Sequence, residues 1–182
     1  MIRFSVESDC VPLKGELVYR AYEYSFDFKV ESESELARRA GSEGTISVVV
    51  GTLQIEVGIE TGAVLFLWGL HAHNTQWRRD RLPPISWEKG CVKVRFEQEP
   101  IVGVSQGLAE VGEWQTTYDA NTGWICVSCD DEGDAGERYV EFAEDTIAGL
   151  TNEKLVSLWL RPRWHQERFE EGPASLSSAS ET

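Results

Sequence analysis

Alternation of apolar and polar residues dominates this chain. Residues 91–97 set Val92, Val94 and Phe96 against Lys93, Arg95 and Glu97, which predicts a strand with one dry face and one wet face. Thr45–Val50 and Leu53–Gly58 read as a hairpin closing on Gly51-Thr52. Residues 63–68 follow the turn Glu60-Thr61-Gly62. Residues 17–30 are rich in Tyr, Phe and Val with a period near two, so Val18, Tyr22, Tyr24, Phe26 and Phe28 are expected on one face. Residues 116–118, 124–128, 138–142 and 155–160 complete the predicted strands. Helical signals concentrate at one place. Ser32 with Glu35 three residues on makes a capping box, and Gly41 supplies the stop. The expected fold is mainly β, built of antiparallel hairpins or a meander, with one short α-helix near residues 33–40.

The pattern also repeats. Ile59-Glu60-Thr61-Gly62-Ala63-Val64-Leu65-Phe66 resembles Ala120-Asn121-Thr122-Gly123-Trp124-Ile125-Cys126-Val127. Residues 96–104 resemble residues 142–150. These matches predict two related β units, about 45–105 and 114–165, inside a single β-rich domain over residues 1–168. Chance recurrence of Thr-Gly turns and apolar strands is the alternative reading. Residues 169–182 turn to Gly, Pro and Ser and are expected to form a disordered tail.

Composition sharpens the class. A chain of 182 residues is long enough to bury a core without disulfide staples. The first residues hold no apolar signal-peptide core, and the apolar stretch 46–70 carries Glu56 and Glu60 within alternating strands. A leaderless chain without a membrane span is therefore expected in the cytoplasm, with its four cysteines as free thiols.

Charge changes the picture most. The chain has 31 acidic and 17 basic residues, a formal net charge of −14. Residues 101–160 carry most of the imbalance, with Asp130, Asp131, Glu132, Asp134 and Glu137 at its centre. Seven tryptophans argue against a disordered acidic tail as its source. A folded anionic surface favours a basic partner over nucleic acid or an anionic membrane. The opposite signal lies in residues 76–88, where Trp77, Arg78, Arg79, Arg81 and Trp87 gather the residue types of interface hot spots.

Catalytic signals are thin. Gly103-Val104-Ser105-Gln106-Gly107 has the spacing of a nucleophile elbow, with Asp119 and His165 downstream. That motif needs a helix after the serine, and the residues that follow are short and broken by glycine. His71-Ala72-His73 would place two imidazoles on one strand face as half of a metal site, to which Cys91 or His165 could add only through the fold. Cys126-Val127-Ser128-Cys129 ends a strand and runs into acidic residues, which disfavours a thiolate and points to buried thiols. No catalytic residue, cofactor or metal is expected.

The run Tyr118-Asp119, Thr122-Gly123-Trp124-Ile125, Val140-Glu141-Phe142, Ile147, Glu153-Lys154-Leu155-Val156 and Leu158-Trp159-Leu160 resembles a class of small uncharacterised bacterial β domains. The whole chain loosely resembles immunity proteins of bacterial toxin systems, which are short, leaderless, acidic and aromatic-rich. That resemblance implies a non-enzymatic protein that neutralises a toxin by occluding a basic surface. Its expected contacts are the five carboxylates named above. The alternative is a ligand-binding or structural β module acting through residues 76–88, and a small hydrolase or metalloenzyme is the third class.

Overall fold

A computed structural model describes residues 2–73, 77–82, 85–108, 113–129 and 137–165. The first half holds β1 (Ile2–Glu7), β2 (Gly15–Arg20), β3 (Ser25–Val30), α1 (Glu33–Ala40), β4 (Thr45–Val50), β5 (Leu53–Gly58) and β6 (Val64–Leu70). Two short strands follow, β7 (Arg78–Arg79) and β8 (Glu88–Lys89). The second half holds β9 (Cys91–Phe96), β10 (Gln106–Gly107), β11 (Trp114–Tyr118), β12 (Ile125–Cys129), β13 (Arg138–Ala143), β14 (Thr146–Thr151), β15 (Lys154–Leu160) and β16 (Arg163–His165). The fold is mainly β with one short helix.

That helix forms where its caps predict it. Ser32 Oγ accepts the Glu35 N–H at 3.2 Å, and Gly41, at φ 84°, donates its N–H to Ala37 O at 3.1 Å. The Glu35 carboxylate does not complete the capping box. It accepts from Arg38 and Arg39 instead, and these bonds hold its pKa at about 2.

The strands make two seven-stranded sheets and one isolated pair. The sheets run β10-β4-β5-β6-β3-β2-β16 and β7-β11-β12-β15-β14-β13-β8, and β1 pairs with β9. Stripped of their edges they read β4-β5-β6-β3-β2 and β13-β14-β15-β12-β11, which is one strand order written twice. The register repeats as well. Between β5 and β6 it shifts at Glu56/Val57, and between β14 and β15 at Gly149/Leu150. Gly62 at φ 65° and Glu153 at φ 63° occupy the turns that follow. Their carbonyls accept from Val94 N at 2.7 Å and from Phe4 N at 2.8 Å. Phe4 and Val94 are themselves cross-strand partners in the β1–β9 pair. Corresponding strands thus meet each other about a local two-fold axis.

Each half also closes the other's edges. After β6, β7 pairs in parallel with β11; after β15, β16 pairs in parallel with β2. Leu13 bridges Ala143 in parallel, and β10 pairs with β4. Among the described residues each edge of the two seven-stranded sheets is a strand of two or three residues, which blunts the usual template for edge-to-edge aggregation. This correspondence differs from the one suggested by local sequence matches. Strand order relates β6 to β15, not to β12, and β9 to β1, not to β13 and β14.

One core joins the inner faces, with Leu17, Tyr19, Phe26, Val48, Ile55, Leu67, Ile125, Val127, Val140, Phe142 and Leu158 all buried. Residues 17–30 do not share a single face as expected. A turn over residues 21–24 splits them, with Tyr24 at φ 55° and 52% exposed. Leu17 and Tyr19 on β2, and Phe26 and Phe28 on β3, make the buried contacts.

The cysteines divide into two kinds. Cys10 and Cys91, 81 residues apart with Cα atoms 5.4 Å from each other, form a disulfide. This corrects the expectation of four free thiols: only Cys126 and Cys129 are free, and both are buried. Among the described residues no helix is long and apolar enough to cross a membrane.

Candidate functional site: matching carboxylate clusters on two outer faces

Sheet register decides which residues point away from the core. On the first sheet these are Ser47 and Val49 of β4, Gln54 and Glu56 of β5, and Phe66 and Trp68 of β6. Strand order makes their counterparts Tyr139 and Glu141, Ile147 and Gly149, and Ser157 and Trp159. On the first sheet Glu56 Oε2 accepts from Ser47 Oγ at 3.0 Å and from Trp68 Nε1 at 3.0 Å. A carboxylate is held there by a hydroxyl and an indole.

The second sheet builds the same group by another route. The residue corresponding to Glu56 is Gly149, and Glu137, just ahead of β13, provides the carboxylate. Tyr139 Oη donates to it at 2.7 Å and Ser157 Oγ at 2.6 Å, while Trp159 Nε1 donates to Ser157 Oγ at 3.3 Å. A side chain on Gly149 would collide with the Glu137 carboxylate and the Ser157 hydroxyl, so glycine makes the room. Burial, then the neighbouring Glu137, pushes the Tyr139 hydroxyl pKa up and keeps it a donor.

The two clusters differ in their cover. β7 lies at one edge of the second sheet and β8 at the other, and the crossing between them lays Leu82 and Ile85 on its outer face. Leu82 and Ile85 of this crossing pack on Cys126, Ile147 and Trp159, with Trp124 and Tyr139 around them. Trp87 Nε1 donates to Glu141 Oε2 at 3.3 Å, and the Arg161 guanidinium lies 5.1 Å over the Trp124 ring. Trp159 is only 6% exposed, whereas Trp68, its counterpart, is 36% exposed.

The residues singled out by sequence fall in separate places. Asp130, Asp131, Glu132 and Asp134 lie outside the described residues. Glu137 folds back onto β14 and β15. Trp77 is buried, with the rings of Tyr19, His71, His73, Tyr118 and Trp164 between 4.7 and 6.5 Å away. Arg78, Arg79 and Arg81 are exposed along the crossing segment, Arg78 lying 3.9 Å from Asp80, and Trp87 is 43% exposed. Glu56, Ser47 and Trp68 were not picked out by sequence. Alternation at Gln54 and Glu56 was the available signal, but nothing in it marks this outer face as different from the other.

The catalytic motifs do not assemble. Ser105 is exposed and runs into strand β10 rather than a helix. β10 and β16, which carries His165, are opposite edges of the first sheet, and Asp119 follows β11 in the second. The Asp119 carboxylate accepts the N–H groups of Asn121 at 2.9 Å and Leu82 at 3.4 Å, a turn-building role. Cys126 and Cys129 sit three apart on β12 and so point to opposite faces. Burial pushes the Cys126 thiol up to about 12. Among the described residues no group of three or more His, Cys, Asp or Glu could hold a metal ion.

His71 lies past the end of β6 and links the two sheets instead. Its Nδ1 is 2.7 Å from Thr52 Oγ1 of the β4–β5 turn, and its Nε2 is 2.9 Å from Thr116 Oγ1 of β11. Burial lowers its pKa to about 4 from the usual 6.5. The unfolded chain then binds the extra proton between these values, so stability is full above about 6.5 and falls as pH drops towards 4. Urea midpoints measured from pH 7 to pH 5 should fall in the native chain and fall less in His71→Asn. Equal slopes in the two would remove His71 from this role.

No family model, curated protein or solved structure matches this chain.

Proposed function

We propose that this chain is a non-catalytic acidic binding protein of the immunity or inhibitor type, which neutralises a basic protein, a bacterial toxin, by occluding its surface. The observation that carries this reading is the charge distribution: residues 101–160 hold 12 acidic and 2 basic groups within a net charge of −14. Residues 130–136 join β12 to β13, and Glu113, exposed beside the start of β11, belongs to the same end of the second sheet. Of the two basic groups, Arg138 pairs with Glu88, and nearby Arg3 pairs with Glu153. An acidic field of this kind speeds encounter with a basic partner and disfavours wrong ones.

The crossing segment over residues 77–88 supports a structural role better than a ligand-binding one, because Trp77, Leu82 and Ile85 are spent on packing. The Cys10–Cys91 bond fits an oxidising compartment better than the cytoplasm.

The test is charge reversal. A partner captured from the native host is purified, and its association rate is measured by surface plasmon resonance. Changing Asp130, Asp131 and Glu132 together to lysine should slow association at least tenfold and flatten its salt dependence. Unchanged kinetics would sink the acidic-surface reading.

A further inference from the structure

We infer that the open outer face of the first sheet, centred on Glu56 and Trp68, is a docking site for an extended basic and apolar segment of a partner protein. It is a second surface, whose test does not depend on the acidic residues 130–137 binding anything.

The second sheet shows what such a face accepts. There Trp159, the counterpart of Trp68, and Tyr139, which donates to the Glu137 carboxylate, lie against Leu82 and Ile85. The first sheet has the constellation without that cover. Trp68 is 36% exposed, and Leu70, two residues further along β6, is 67% exposed. Glu56 receives its hydrogen bonds from neutral donors, Ser47 and Trp68, and makes no ion pair among the described residues. A carboxylate beside an open indole face suits a guanidinium, which can stack on the ring and bond to the carboxylate at once. A leucine or proline beside it would cover Trp68 and Leu70.

Geometry narrows the mode of binding. Both edges of the first sheet are already occupied, by β10 and by β16. A partner segment is therefore expected to lie across the face, as Leu82 and Ile85 do on the second sheet. Charge narrows the occupant. Residues 166–182 of this chain carry Glu167, Glu170, Glu171 and Glu181 against Arg168, the wrong sign for Glu56. The net charge of −14 likewise opposes a second copy.

The probe is a fluorescein-labelled peptide with the sequence of residues 79–87, Arg-Asp-Arg-Leu-Pro-Pro-Ile-Ser-Trp, titrated with the full-length protein and followed by anisotropy. Saturable binding is expected. Trp68→Ala and the isosteric Glu56→Gln should each weaken it at least tenfold, in variants whose circular dichroism matches the parent. A peptide with both arginines changed to glutamate should not bind. Absence of saturable binding overturns the inference. So does unchanged affinity in both variants, which would mean the peptide displaces the native crossing on the second sheet. Self-association of the protein that Trp68→Ala abolishes would assign the face to a second copy and overturn it too.

Discussion

Replacing Trp159 with alanine is expected to lower the free energy of unfolding by about 3–5 kcal/mol, while the same change at Trp68 costs about 1 kcal/mol. The two residues hold corresponding places on β15 and β6, and both indoles donate to the polar group beside them. Local sequence and strand geometry treat them alike. What separates them is the crossing segment. Trp159 packs under Leu82 and Ile85 against Ile147 and Cys126, so its truncation leaves a cavity that the strands cannot close. Trp68 has water on its outer side, so its truncation removes partial contacts and leaves no sealed void. Urea denaturation of the two variants measures the difference directly. Equal losses would mean that the two faces are covered alike, and would also remove the ground for an open docking face on the first sheet.

Breaking the Cys10–Cys91 bond should cost about 4 kcal/mol, the entropy of releasing a loop of 81 residues in the unfolded chain. The bond ties the segment after β1 to the first residue of β9, at the strand pair the two halves share. A two-stranded pair is marginal by itself. Here it gains from burying Phe4, Val92 and Val94 and from the two turn contacts at Gly62 and Glu153. Cys91→Ser, or reductant added to the native chain, should therefore shift the denaturation midpoint strongly. Thiol titration in denaturant without reductant should find two reactive groups, Cys126 and Cys129, in protein isolated from its host. Four thiols together with an unchanged midpoint on reduction would remove the disulfide from the account.

Local patterns were legible where one face of an element is wet. The hairpin around Gly51-Thr52 and the helix between Ser32 and Gly41 could be read residue by residue, because alternation and capping are properties of neighbours. β14 could not. Thr146, Ile147, Ala148, Gly149 and Leu150 are all buried, so the strand has two dry faces and no alternation to betray it. The relation between the halves was hidden for a different reason. It is carried by strand order, by a shared register shift and by backbone at Gly62 and Glu153, and only the first of these two residues is the glycine that a positive φ favours. Sequence matching instead paired Thr-Gly turns that fall at different places in the two halves.

The carboxylate clusters make the same point at the scale of a site. Glu56 and Glu137 do one job from unrelated positions, and Gly149 takes part by having no side chain. No comparison of residue types along the chain would align a glutamate with a glycine.

By itself the sequence determined the class of fold, the single helix, the turns and the uneven charge, since each follows from interactions between residues close along the chain. Tertiary structure alone decided that Cys10 meets Cys91, that His71 joins two sheets, and which tryptophan is sealed and which is open. The physical reason is path. Trp68 and Trp159 alternate out of their strands identically, and their fates part because Leu82 and Ile85 lie over one sheet and not the other.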